Sequence, residues 1–303
     1  MRDIIKAESL TKDYGSGRGV FDLSFSVRQG EVFGLVGTNG SGKTTTLRQL
    51  MGFIRPDSGS CSIFDSDCTR SSGSFMSRVG YVPGEIDFPD MGSGTSFLKL
   101  RAEYLGIKDS RYIGELVDMF RLDSDAPLKR MSKGMKQKTA LVAAFMSRPD
   151  VLLLDEPSTG LDPLMRDTLT ELILKEKKRG AAVLMSSHIF KELDDTADRV
   201  LFIEDGKKLD LIETGTLTAG LPKAYRVGFK SGRDIDRFLL TTKMAVTHTN
   251  RDALHIDISV QENGLEQLFG ELSGFDIRYL RERPFTLEGY YTDVIEKGGK
   301  RSA

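Results

Sequence analysis

Neither sign of charge is in excess: 43 Lys and Arg stand against 44 Asp and Glu in 303 residues. The chain therefore lacks the overall basic field that drives binding to nucleic acid, and no nucleic-acid partner is expected. Cysteine is also scarce. Cys61 and Cys68 are few and lack the company of a metal site, which fits reduced thiols rather than a disulfide framework. No stretch approaches the roughly 20 consecutive apolar residues that cross a bilayer. The start, Met1-Arg2-Asp3-Ile4-Ile5-Lys6, lacks the apolar region of a signal peptide. Any membrane role is thus expected to run through a partner. What remains, 39% hydrophobic and 29% charged, is the composition of a globular chain with a sizeable core, long enough for two domains.

Against these absences one stretch stands out. Gly37-Thr38-Asn39-Gly40-Ser41-Gly42-Lys43-Thr44-Thr45 has the P-loop spacing, with an apolar strand expected over Glu31–Val36 before it and a helix over Thr45–Met51 after it. Glycines let the backbone turn tightly, so that amide N–H groups and the helix N-terminus converge on one anion site. Lys43 would reach the β- and γ-phosphates of a nucleotide, and the Thr44 hydroxyl would ligate the Mg²⁺ that bridges them. Alone, the stretch says only nucleotide binding.

Before it, a strand over Ile4–Leu10 and the alternation of Phe21, Leu23, Phe25 and Val27 predict an antiparallel layer. Tyr14, at the turn between them, either stacks on an adenine base or is an ordinary strand-end tyrosine. Beyond the P-loop helix, strands are expected at Ser60–Phe64 and Arg78–Pro83. Three- and four-residue apolar spacing then predicts helices at Thr95–Leu105, Arg111–Phe120 and Gly134–Met146, a helical insertion over about residues 84–146. Val151–Leu154 reads as a central parallel strand ending in Asp155-Glu156. Carboxylates at such a tip lie where α/β sheets bind ligands, so Asp155 would hold Mg²⁺ through its water shell and Glu156 would act as general base. Asp162-Pro163 opens a helix over Leu164–Lys178. Ala181–Met185 is the next strand, and His188 follows its tip, placed to face a γ-phosphate. Asp205-Gly206 marks a hairpin.

These stretches, in this order, resemble the ATPase subunits of ABC transporters, specifically those serving ABC-2-type drug and bacteriocin-resistance exporters. Gly37–Thr45 resembles Walker A and Val151–Glu156 resembles Walker B with its catalytic glutamate. Ser158-Thr159-Gly160-Leu161-Asp162 resembles the D-loop, His188 the switch histidine, and Met131-Ser132-Lys133-Gly134-Met135-Lys136-Gln137 the signature motif. The resemblance spans roughly residues 3 to 220. It implies ATP and Mg²⁺ as ligands and a head-to-tail homodimer in which Ser132, Lys133 and Gly134 contact the ATP held by the other subunit. It also implies a polytopic membrane permease as partner, and a place at the cytoplasmic face of the cell membrane. Met131, Lys133 and Met135 depart from the usual Leu-Ser-Gly-Gly-Gln. Gly84 stands where the family has a metal-sensing glutamine, and Glu85 beside it is a second candidate for the metal. The apolar Ile86, Phe88, Pro89 and Met91 that follow either dock the permease or pack the insertion. Rival functions are a soluble ABC-type ATPase, or an ATP-gated interaction module uncoupled from transport.

The expected fold class is α/β: a P-loop parallel-sheet core with an antiparallel β subdomain and the helical insertion, filling residues 1–220. Residues 221–303 are expected to form a small α+β module of βαββαβ type, closed by an amphipathic helix from Phe285 that bears Leu287, Tyr290, Tyr291, Val294 and Ile295 on one face.

Overall fold

The computed structural model describes residues 2–70, 75–217, 223–261, 264–283 and 286–292. They fall into two compact units, Met1–Ile212 and Glu213–Ala303. In the first, β1 (Asp3–Asp13), β2 (Gly19–Arg28), β3 (Val32–Val36), α1 (Lys43–Leu50), β4 (Ser58–Ile63), β5 (Ser66–Asp67) and β6 (Val79–Val82) lead to three helices. These are α2 (Gly94–Tyr104), α3 (Arg111–Met119) and α4 (Lys133–Phe145). Then come β7 (Val151–Asp155), α5 (Pro163–Arg179), β8 (Ala182–Ser186), α6 (Phe190–Thr196), β9 (Arg199–Glu204) and β10 (Lys207–Glu213).

Every residue of β3, β7 and β8 is buried, as their near-continuous apolar sequences require of parallel strands covered on both faces. The main sheet has the order β10-β9-β3-β8-β7-β6. In it β3 runs parallel to β8 and β9, and β7 parallel to β6 and β8. Loops from β3, β7 and β8 therefore leave the same edge of the sheet, side by side. A second sheet, β2-β1-β4-β5, is antiparallel, and its alternating Leu23, Phe25 and Val27 are buried. Both sheets contribute to one apolar core, Leu10, Val27, Phe33, Leu47 and Leu153 among its members.

The helical stretch is less uniform than its sequence suggests. Residues Ala140 to Phe145 of α4 are buried, and α4 packs on β6, so its second half belongs to the core. Phe88 meets the ring of Phe97 in α2 edge-on, centroids 4.8 Å apart, and is partly buried. Packing, not exposure, occupies that aromatic.

The second unit contains α7 (Thr214–Leu217), β11 (Lys223–Phe229), α8 (Gly232–Thr241), β12 (Ala245–Asn250), β13 (His255–Val260), α9 (Leu265–Leu272) and β14 (Ile277–Arg283). Its sheet order β12-β13-β11-β14, antiparallel throughout, is the split βαβ arrangement. Phe275 lies two residues before β14. Its ring packs on Phe229 and Phe238, so burial rather than pairing explains its apolar character. Residues 287–292 are helical and Leu287 is fully buried. Phe285, Val294 and Ile295, and the boundary expected at residues 220 and 221, lie outside the described residues.

Candidate nucleotide site

Between β3 and α1 the chain turns through Gly37–Gly42. Gly42 caps α1 in the left-handed region, φ 104°, and a Cβ there would stand 2.8 Å from Val20 Cγ2 and 2.9 Å from the Gly19 carbonyl. Only glycine fits that position. The helix consequently begins at Lys43, earlier than Thr45, and presents its first N–H groups to the loop. Lys43 is 5% exposed, and its ammonium donates to the carbonyls of Gly37 and Thr38 at 2.9 and 3.0 Å. Burial pushes its pKa down, while the carboxylates of Glu156 and Asp155 pull in the opposite direction. A buried cation at the first residue of a helix, beside that helix's N-terminus, is prepared for a polyanion.

At the tip of β7, Asp155 is fully buried and Oδ1 accepts the Ser186 hydroxyl proton at 2.6 Å. Oδ2 is buried without a hydrogen-bond partner. A Cβ on Gly84 would lie 3.0 Å from it. Glu156 follows with φ 47°, a left-handed conformation uncommon for a long side chain. Its carboxylate lies 3.2 Å from His188 Nδ1 and 3.4 Å from the Thr159 hydroxyl. Both members of the Glu156–His188 pair reach solvent, with side chains 26% and 54% exposed.

A cavity of about 560 Å³ is lined by Tyr14, Arg18, Gly19, Asn39, Gly40, Gly42, Lys43, Thr44, Thr45 and Glu156; Gly37, Thr38, Ser41, Asp155 and His188 stand outside that lining. Tyr14 follows β1 with half its surface open and the Lys12 ammonium 5.8 Å from its ring centre. Glu85 is exposed and absent from the lining, whereas its neighbour Gly84 borders Asp155. Ser132, Lys133 and Gly134 are likewise outside the lining. Ser132 caps α4 by accepting the Met135 N–H at 3.2 Å, and a Cβ on Gly134 would lie 2.7 Å from the Gly160 carbonyl. Asp162 caps α5 through the Met165 N–H.

Sequence reading passed over Arg18 and Gly19, although both belong to the glycine turn beside Tyr14. Gln137, which closes the signature stretch, has a role the motif did not announce: its buried Nε2 donates to the Pro157 carbonyl at 2.7 Å. Ser186 was passed over, although a hydroxyl directly follows the apolar run Ala181–Met185.

Residues 20–159 match the family profile described as ABC transporter. The bacitracin transport ATP-binding protein BcrA of Bacillus licheniformis is 30% identical over 315 residues, covering 98% of this chain and 99% of that protein. The daunorubicin/doxorubicin resistance ATP-binding protein DrrA of Streptomyces peucetius is 31% identical, covering 93% and 88%. Among solved structures, a dimeric bacterial ABC transporter cassette superimposes with a TM-score of 0.61 over 70% of this chain and 99% of that one, at 19% identity. Whole-length similarity, the phosphate loop and the acid pair together make this protein a member of the ATP-binding subunits of ABC transporters, an ATPase family.

Proposed function

We propose that the chain binds Mg²⁺ and ATP in this cavity, hydrolyses ATP as a head-to-tail homodimer, and drives export through a separate membrane-spanning subunit at the cytoplasmic face of the membrane. The observation that carries the reading is a division. Lys43, Thr44 and the Glu156–His188 pair gather in or at one cavity, while Ser132–Gly134 of the same chain line none of it. A site that lacks its signature segment calls for a second copy. The dimeric cassette of like fold supports this.

Phosphates would be held by the loop amides, Asn39 and Lys43, with the adenine on Tyr14. Thr44 and Asp155 suit Mg²⁺, which prefers a few hard oxygen ligands beside phosphate; the unpartnered Oδ2 of Asp155 is such an oxygen. When bound, the ion neutralises charge on the phosphates. Glu156 takes the proton of the attacking water, and His188 orients Glu156 and meets the γ-phosphate. Export is supported by the drug-resistance role of DrrA. None of the helices among the described residues is long and apolar enough to cross a membrane, so the pathway would belong to the partner.

The decisive experiment compares the parent with Glu156→Gln. The variant should bind a fluorescent ATP analogue normally and form ATP-dependent dimers by light scattering, while phosphate release falls about 10²- to 10⁴-fold. Turnover near the parent rate would remove Glu156 from the role of base.

A further inference from the structure

Ser186 sits in the parallel register directly opposite Asp155 and is fully buried. Its side chain serves both acids at once. The hydroxyl proton goes to Asp155 Oδ1 at 2.6 Å, while the same oxygen accepts the Glu156 N–H at 3.0 Å. The Ser186 carbonyl lies 3.2 Å from that N–H as well. A serine hydroxyl has one proton and two acceptor sites, so the carboxylate fixes the rotor and leaves a lone pair for the amide. The bond to a carboxylate is short because it is charge-assisted.

We propose that Ser186 is a positioning residue of the ATPase. It holds the Asp155 carboxyl in the one orientation that leaves Oδ2 for the metal, and it pins the left-handed backbone of Glu156 that aims the base at the cavity. The inference rests on the reading of Asp155 and Glu156 given above. Two observations support the tie between these roles. Oδ2 is the carboxylate oxygen left without a partner. Glu156 adopts φ 47°, which persists only where neighbours over-determine it. Ser186 and the turn bond from Thr159 N–H to the Glu156 carbonyl, 3.1 Å, supply that determination. No ligand need touch Ser186 for its loss to be felt.

The test uses the full chain with Mn²⁺ as the probe ion and a non-hydrolysable ATP analogue, read by electron paramagnetic resonance, alongside steady-state turnover. Ser186→Ala should raise the Mn²⁺ half-saturation and lower kcat, each by about 10- to 100-fold, the loss of one hydrogen bond to a charged group. KM for ATP should stay within about threefold, since Lys43 and the loop amides are untouched. Ser186→Thr, which keeps the hydroxyl, should restore both. Asp155→Asn serves as the reference. If it weakens Mn²⁺ binding but Ser186→Ala does not, the role of Ser186 is overturned and the metal reading stands. If neither weakens it, the metal reading falls, and the positioning of Asp155 falls with it. Should Ser186→Ala lose its thermal transition, Ser186→Thr decides: a folded variant with Mn²⁺ binding and kcat near the parent supports the proposal, and a folded variant that has lost them overturns it.

Discussion

Replacing Gly84 by alanine adds one methyl group beside the buried carboxylate of Asp155. The new Cβ would stand 3.0 Å from Asp155 Oδ2 and 3.2 Å from Asp155 Cγ, inside the roughly 3.5–4.0 Å of an ordinary contact. The backbone at Gly84 is outside the left-handed region, so φ imposes no penalty; alanine there would even gain about 0.4–1 kcal/mol from a less flexible unfolded chain. The cost comes from Asp155. Its carboxylate is fully buried and tied to Ser186 at 2.6 Å, so it cannot retreat without stretching that bond. Overpacking of this kind costs about 1–3 kcal/mol, which in mid-range leaves a net loss of about 1 kcal/mol. For a unit of this size that lowers the melting temperature by roughly 2–4 °C. Gly114 in α3 is the control, because a Cβ there meets nothing and alanine improves a helix interior by about 0.5–1 kcal/mol. Thermal melts should thus move in opposite directions, and the Mg²⁺ needed for half-maximal ATPase should rise only in Gly84→Ala. A Gly84→Ala protein that melts at or above the parent, with an unchanged Mg²⁺ midpoint, would show that the space beside Asp155 accepts a side chain and refute the steric reasoning.

Mixing Lys43→Ala subunits with Ser132→Arg subunits should yield heterodimers with one intact composite site and more phosphate release than either homodimer; equal activity throughout would argue against the shared site. Burial, and then the Glu176 carboxylate, push the Tyr112 phenol up to about 12 from an ordinary 10. The folded state then keeps a proton the unfolded state loses, so stability from this group is complete below pH 10 and lost as pH rises toward 12. Tyr112→Phe should accordingly flatten the alkaline limb of a melting profile, and an unchanged slope would refute the assignment. Phe88→Asp breaks the edge-on pair with Phe97 and should cost about 1–3 kcal/mol in a melt with nucleotide binding retained. A melt unchanged from the parent would return Phe88 to an exposed docking role.

The parts of the site that the sequence announced are those whose chemistry is local. Gly37–Thr45 must turn and then wind into a helix, and Val151–Glu156 must lie deep and end in charge, whatever else the chain does. Alternation likewise revealed the antiparallel sheet, since Leu23, Phe25 and Val27 share a face by covalent geometry alone. Partnerships across the sheet were not legible. Ser186 lies 31 residues from Asp155, and Gln137 lies 20 from Pro157; no period links such pairs before the strands are ordered. Nor was the packing of the loop ring of Phe275 on Phe229 and Phe238, since a partly buried loop aromatic has no period to announce it. Glu85 drew attention as a carboxylate beside Gly84, where the resemblance implies a metal-sensing glutamine, yet the fold sets side-chain-free Gly84 against Asp155 and leaves Glu85 exposed.

Residues 155–162 show how, in the proposed dimer, one chain would serve two nucleotide sites. Their first two residues are the acid pair, of which Glu156 lines the cavity. From the next residue on, the segment is held by α4: the Pro157 carbonyl takes the buried Gln137 amide, and the Gly160 carbonyl lies so near Gly134 that a methyl group would not fit. The turn between is closed by Thr159 N–H on Glu156 and Leu161 N–H on Ser158, at 3.1 and 3.0 Å, with Ser158 and Leu161 buried. Such a turn has little room to absorb a shift at either end. In the proposed dimer, a movement of Glu156 would have only a few residues of path to the N-terminus of α4, the segment that dimer sets against the partner's ATP. Coupling between two such sites would then need no distant relay, because both would be attached to the same stretch of backbone.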